Sequence, residues 1–295
     1  MKKRAGSWRL LVVGPAIDSP ARSGRWRLLA AWLPVLRFTL LVACIGVAFS
    51  FVVTPLVKFT WWQVFRRSVS VAAFVSLWIC VKRLERRSFR AYGWALGREE
   101  SRQLALGLLL GLGALGLWLG ISLLTGACQI LVTDDRVRLW RTVIGFIPAA
   151  LLVAVLEELV FRGFLFQHLL EWSRNLALCV TSTAYALVHL RTFSLNTSST
   201  WLELTGLWLL GTLLALSYLR TRRLAFAIGL HATLAYGARI NKLLVTSSDP
   251  SLSWLVGTNR LINGMASWAA LLGIWGIMMW WTRSVYRGGI RHEPS

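Results

Sequence analysis

Acidic residues are scarce in this sequence: 12 Asp and Glu stand against 33 Lys and Arg in 295 residues, and all charged residues together make up only 15%. Soluble domains carry roughly a quarter charged residues. A chain this poor in charge and 56% hydrophobic is not built to face water on every side. The charges it does have cluster between apolar stretches long enough to cross a bilayer, about 20 residues each. Lipid is the solvent of this chain.

Other absences narrow the chemistry. The four cysteines, Cys44, Cys80, Cys128 and Cys179, are scattered at no metal-ligand spacing and imply no disulfide framework, so they read as packed side chains. The aspartates are Asp18, Asp134, Asp135 and Asp249, all in polar stretches, which excludes the pair of buried aspartates that an aspartyl intramembrane protease needs. The zinc-protease pattern H-E-x-x-H does not occur, and no serine nucleophile in a Gly-x-Ser context is expected within the spans. The net charge of +21 comes without an aromatic-basic stacking surface or zinc-finger spacing, so nucleic acid is not the expected partner. The basic residues instead flank apolar segments, as Lys82, Arg83, Arg86, Arg87 and Arg90 do after one and Arg220, Arg222 and Arg223 after another. Anchoring against anionic lipid and fixing of topology account for that placement.

What is present is a series of apolar segments at 33–56, 64–81, 103–124, 142–160, 176–190, 202–219, 223–240 and 264–281. They predict an all-α fold, a polytopic transmembrane helical bundle of about eight spans. The expected organisation is a basic N-terminal arm over 1–32, transmembrane helices over 33–140, a core carrying the chemistry over 141–241, and a loop, last helix and basic tail over 242–295. With both termini in the cytoplasm, the inner loops carry about twice as many Lys and Arg as the outer ones, as the positive-inside rule asks. The expected location is a bacterial inner membrane, crossed several times. In the third segment Gly107, Gly111, Gly116 and Gly120 fall at spacings that predict a close-packing helix face.

Chemistry concentrates in the run Val153-Ala-Val-Leu-Glu157-Glu158-Leu-Val-Phe-Arg162-Gly163. Each charge at membrane depth costs on the order of 2.5–3.5 kcal/mol on insertion scales, an expense that packing alone does not require. Glu158 and Arg162 are four apart and share a helix face, so they can pair. Glu157 points about 100° away and has no partner on its own helix. An unpaired carboxylate in low dielectric holds its proton more tightly than one in water, which suits a general base working near neutral pH. Two of the four histidines lie in later apolar segments: His189, in Tyr185-Ala-Leu-Val-His189, and His231, in Leu230-His231-Ala-Thr-Leu-Ala235. A glutamate and two histidines converging in a membrane cavity can activate a water for hydrolysis, with or without a metal. Against this stands the blander reading of an ion-pair cluster that only fixes helix packing. His168 lies about 16 Å further along the helix axis than Glu157 and is expected, like His292, to have an interfacial role.

Taken in order, Glu157-Glu158-x-x-x-Arg162, aromatic-x-x-x-His189 and His231 resemble the CAAX prenyl protease and bacteriocin-processing (Abi) family of intramembrane endopeptidases, over about residues 140–240. The resemblance implies that Glu157 and His189 activate the attacking water, that Glu158 and Arg162 organise the site, and that His231 helps to stabilise the oxyanion. If a divalent metal such as zinc is used, its ligands are Glu157, His189 and His231. The implied partners are a membrane-associated peptide or protein substrate and the lipid bilayer. Two positions depart from the family pattern: Tyr185 replaces the usual phenylalanine, and Ala235 stands where asparagine is usual. Thr233, Asn241 or a backbone amide are the candidates to replace that asparagine. Two other functions fit the residues. One is a non-catalytic accessory or immunity protein that keeps the fold, and the other is a proton-coupled transporter using Glu157 and Glu158 as a relay, for which the repeats typical of transporters are missing.

Overall fold

The computed structural model describes residues 24–132, 134–190, 198–257 and 262–289. Most of the expected basic arm, and His292 in the tail, lie outside the described residues. All eight apolar segments are helical. Helix α1 (Gly24–Val53) and α2 (Trp61–Trp78) pack together as a pair. The turn between them is fixed by a capping box: Thr60 N donates to Gln63 Oε1 at 3.1 Å, and Gln63 N donates back to the Thr60 hydroxyl at 3.3 Å, which satisfies two of the free amides at the helix start. The chain continues through α3 (Arg98–Leu124), α4 (Arg136–Glu158), α5 (Phe166–Leu170) and α6 (Arg174–His189). After these come α7 (Ser198–Thr221), α8 (Ala225–Leu244), the single turn α9 (Ser253–Val256) and α10 (Met265–Gly289). The fold is all-α apart from two three-residue strands, β1 (Cys128–Ile130) and β2 (Val245–Ser247), paired antiparallel.

Among the described residues, six helical stretches are long and apolar enough to cross a membrane: Leu29–Leu56, Trp61–Leu84, Arg98–Leu124, Arg136–Leu170, Ser199–Thr221 and Met265–Thr282. The two segments outside that set, α6 and α8, carry the histidines. Helix α6 has 16 residues and rises about 24 Å, short of a hydrocarbon core of about 30 Å. Helix α8 is the centre of the bundle, with every residue from Phe226 to Thr233 buried. It packs against α3, α4 and α7, so protein rather than lipid surrounds it.

The approach of α3 to α8 is set by glycine. A Cβ on Gly107 would lie 2.3 Å from the Phe226 carbonyl oxygen, and one on Gly229 would lie 2.3 Å from the Leu104 carbonyl oxygen. Gly111 faces Thr233 in the same contact, whereas Gly116 and Gly120 meet nothing within 4 Å. The expected glycine face is therefore used over its first half only. Because the obstructing atoms are backbone, the two helices have to separate if either glycine gains a side chain, and His231 moves with α8. Gly229→Ala is expected to cost about 1–3 kcal/mol by overpacking, read as a lower melting temperature in detergent.

Two widened π turns, Ile79–Leu84 and Leu159–Leu165, change the path of the helices that contain them. The second lies between the paired glutamates and His168, so a continuous α-helix does not describe that stretch. His168 is 6% exposed, held inside the protein: Nδ1 donates to the Phe164 carbonyl at 2.8 Å, and Nε2 lies 3.0 Å from Glu85 Oε1. The Tyr92 hydroxyl donates to the other Glu85 oxygen. Burial pushes Glu85 up, but the hydrogen bonds from His168 and Tyr92 outweigh it and hold the carboxyl below its ordinary range. This network ties the connection between α2 and α3 to the end of the helix that carries the glutamates.

Candidate active site

The site starts where α4 gives way to the π turn. Such turns insert one residue into the helical ladder and occur often at functional positions. Glu158 immediately precedes this one and Arg162 lies within it, 0% and 1% exposed. Arg162 Nη1 donates to Glu158 Oε1 at 2.8 Å, and Nη2 donates to the carbonyl of Gly211 on α7 at 3.1 Å. Gly211 presses directly on α6, where its Cβ would lie 3.1 Å from Ser182 Cα. The guanidinium carbon sits 4.5 Å from the centre of the Tyr185 ring. One buried arginine thereby joins α6, α7 and the π turn. The expected i,i+4 pair is formed, yet it is not closed, because His231 Nδ1 lies 2.8 Å from the same Glu158 oxygen.

Glu157 has no partner on its own helix and meets both histidines. Its Oε2 lies 3.1 Å from His189 Nε2 and 3.7 Å from His231 Nε2. That oxygen is buried and receives no well-aligned hydrogen bond, although Glu157 and His189 are partly open, at 27% and 28%. The site thus has an enclosed floor, made by Glu158, Arg162 and His231, and an open edge formed by Glu157 and His189.

Hydrogen-bond chemistry fixes the histidine tautomers. His189 Nδ1 lies 2.8 Å from the Tyr185 carbonyl oxygen, which can only accept, so Nδ1 carries a hydrogen. His231 Nδ1 faces the Glu158 carboxylate and carries one for the same reason. Both rings therefore turn Nε2 toward Glu157, and in the neutral imidazole that atom has a lone pair. Glu157, His189 and His231 offer three ligand atoms within 4.8 Å of one another. Histidines that bind metals commonly donate their far N–H to a carbonyl or carboxylate, and two histidines with one glutamate form a known zinc donor set. The residues fit a divalent ion. They equally fit a water held between a carboxylate and an imidazole.

Neither side chain proposed to replace the missing asparagine faces this centre. The Thr233 hydroxyl donates to the Gly229 carbonyl at 3.0 Å, and the side chain packs on Gly111 of α3; at two positions from His231 it points about 200° around α8. Asn241 is ten residues on, about 15 Å along the axis. Ala235, one turn from His231 on its face, brings no polar group. Contrary to expectation, one serine within a span, Ser122, does stand at Gly-x-Ser spacing from Gly120, but it spends its hydroxyl on the Trp118 carbonyl at 2.7 Å. Two participants were hidden from pattern reading. Gly211 carries only the weak signal of a lone glycine in an apolar segment. The Tyr185 hydroxyl, 3.5 Å from His231 Nε2, belongs to a residue whose ring alone marked it as aromatic.

Residues 139–236 match the family model described as Rce1-like, type II CAAX prenyl endopeptidase. The match begins early in α4 and ends within α8, so it takes in Glu157, Glu158, Arg162, His189 and His231. No curated protein and no solved structure matches the chain. Over this segment, about a third of the chain, the protein is similar to the CAAX protease family, and the helices make the chain a multi-pass membrane protein.

Proposed function

We propose that the protein is an intramembrane endopeptidase that hydrolyses a peptide bond of a membrane-associated substrate with water activated by Glu157 and His189. The observation that carries this reading is Glu157 Oε2: a buried carboxylate oxygen without an aligned hydrogen bond, faced by two imidazole Nε2 atoms at the open edge of the site. A general base needs an acceptor within reach of the proton it removes, and this oxygen, unlike the equally unpartnered Oε2 of the fully buried Glu158, belongs to a side chain at the open edge of the site. Water between Glu157 and His189 attacks the carbonyl carbon and gives its proton to Glu157. Collapse of the tetrahedral intermediate breaks the C–N bond, and the same proton passes to the leaving nitrogen. Glu158 and Arg162 position His231 from below, since Glu158 Oε1 receives both the arginine and the imidazole.

The donor set also supports a second reading, in which Glu157, His189 and His231 hold a zinc-like ion that would supply Lewis acidity at the carbonyl. The domain limits are taken to be 141–241 for the core and 33–140 for the preceding helices. The cytoplasmic placement of both termini rests on the positive-inside count.

The purified protein in lipid vesicles is expected to cleave a lipid-anchored fluorogenic peptide, offered both prenylated and unprenylated. Glu157→Ala should abolish cleavage with expression and melting temperature retained, and undiminished cleavage by that variant would sink the assignment. Sensitivity to a chelator, with a stoichiometric metal lost on His189→Ala, selects the metal-bound form of the reaction. If no peptide is cleaved and Glu157→Ala keeps the cellular phenotype, the fold serves a non-catalytic accessory or immunity role.

A further inference from the structure

We infer that Tyr185 is a catalytic residue whose hydroxyl donates the hydrogen bond that stabilises the tetrahedral oxyanion; the inference rests on the hydrolytic reading of the site given above. The need for such a donor follows from the accounts of the other groups. His189 and His231 have committed their Nδ1 hydrogens to the Tyr185 carbonyl and to Glu158. Their Nε2 atoms donate only when the ring carries both protons. Arg162 spends Nη1 on Glu158 and Nη2 on Gly211; its Nε has no partner, but it is buried with a side chain only 1% exposed and, unlike the Tyr185 hydroxyl, makes no contact with either imidazole. Thr233 is turned to α3, and Ala235 has nothing to give.

The Tyr185 hydroxyl is different. Among the described residues its hydrogen bond is to His231 Nε2 at 3.5 Å, well beyond the 2.7–2.8 Å common for hydroxyl donors to oxygen. It is a donor held loosely beside the reacting centre, and catalytic hydrogen bonds are often long before the substrate arrives. The ring that carries it is fixed on every side. It packs on His189, tilted at 34° with 4.3 Å between centroids, meets His231 edge-on at 5.9 Å and Phe161 at 5.4 Å, and lies under the Arg162 guanidinium at 4.5 Å. None of these contacts needs the oxygen. A phenyl ring would keep all of them, whereas a hydroxyl buried at 2% exposure costs free energy unless it has a partner.

The step balances without a co-reactant. Water oxygen bonds to the carbonyl carbon, and the carbonyl π pair moves onto oxygen. The Tyr185 O–H, which keeps its proton, turns from His231 Nε2 to that oxygen. As the C=O bond re-forms and the C–N bond breaks, the donor returns to His231, and the proton held by Glu157 leaves with the amine.

Tyr185→Phe is the test, with kcat, KM and melting temperature measured on the same peptide substrate. Removing one oxyanion donor lowers kcat by about 10²–10³, with KM and melting temperature little changed. Ala235→Asn in the Tyr185→Phe background, which sets an amide one turn from His231 on its face, recovers part of that loss. An unchanged kcat overturns the inference. So does a loss that comes with a lowered melting temperature and raised KM, which assigns the hydroxyl to packing. Either result, obtained while Glu157→Ala is inactive, leaves the hydrolytic reading standing; activity in Glu157→Ala removes both.

Discussion

Arg162→Leu is expected to lower stability by about 3–5 kcal/mol and to abolish cleavage, because it leaves a charge without its counter-ion inside the bundle. Arg162 and Glu158 are 1% and 0% exposed, so water cannot replace either partner. The loss would be larger than a helix-surface pair predicts, since Nη2 also holds the Gly211 carbonyl of α7 and the guanidinium covers the Tyr185 ring. Lysine should not rescue. Its ammonium is a compact charge without the planar fork that reaches two acceptors on different helices. The double variant Glu158→Leu/Arg162→Leu removes both charges and should recover much of the melting temperature, as replacement of buried pairs by apolar residues often does. It should not recover cleavage, because His231 Nδ1 then has no carboxylate to fix its tautomer. Thermal unfolding in detergent and peptide cleavage measure the two effects separately. Full stability in the single variant would show that the pair is not structural.

That buried pair was legible in the sequence, and the reason is local. Glu158 and Arg162 are neighbours on any helix, so their contact needs no knowledge of the fold. The meeting of Glu157 with His189 and His231 is of another kind. It depends on how far α6 and α8 stand from α4, which is set by Gly107 and Gly229 between α3 and α8, and by Gly211 against Ser182. Glycine spacing in the third segment hinted at one of these contacts, but spacing could not say that Gly116 and Gly120 face open space. The π turn at Leu159–Leu165 left no mark in the apolar pattern, so a straight helix gave no sign of a buried partner for His168. In the fold it turns inward to Glu85. All eight apolar segments are helical, and six of them are long and apolar enough to cross a membrane; α6 and α8 share the apolar pattern because burial inside a protein and burial in lipid select the same residues. The loose hydroxyl of Tyr185 was beyond any pattern, since a tyrosine and a phenylalanine fill the same helical position.

The other large effect concerns Glu157 and His189 as a unit. Glu157→Gln and His189→Ala are each expected to lower kcat about 10²–10⁴-fold, the range for general acid–base groups, and the double variant should be little worse than the poorer single one. Groups that act on one proton are strongly non-additive when removed together. The geometry makes them such a pair: Glu157 Oε2 and His189 Nε2 are 3.1 Å apart, and His189 is oriented by its Nδ1 bond to the Tyr185 carbonyl. One water bridging them loses its proton to the pair, so either deletion disables the same step. Glutamine keeps the shape of Glu157 while removing its ability to take a proton, so its loss reports chemistry rather than packing. His231→Ala gives the contrast. The His231 Nε2 accepts the Tyr185 hydroxyl and, with one proton on the ring, donates nothing to the oxyanion. It is a positioning group apart from the shared water, so its effect should multiply with that of Glu157→Gln until the background rate of water is reached. Single-turnover cleavage in vesicles, over the four combinations of Glu157→Gln and His189→Ala, measures the coupling. Multiplicative losses for Glu157 and His189 would mean that they serve separate steps, and the shared-water assignment would fall.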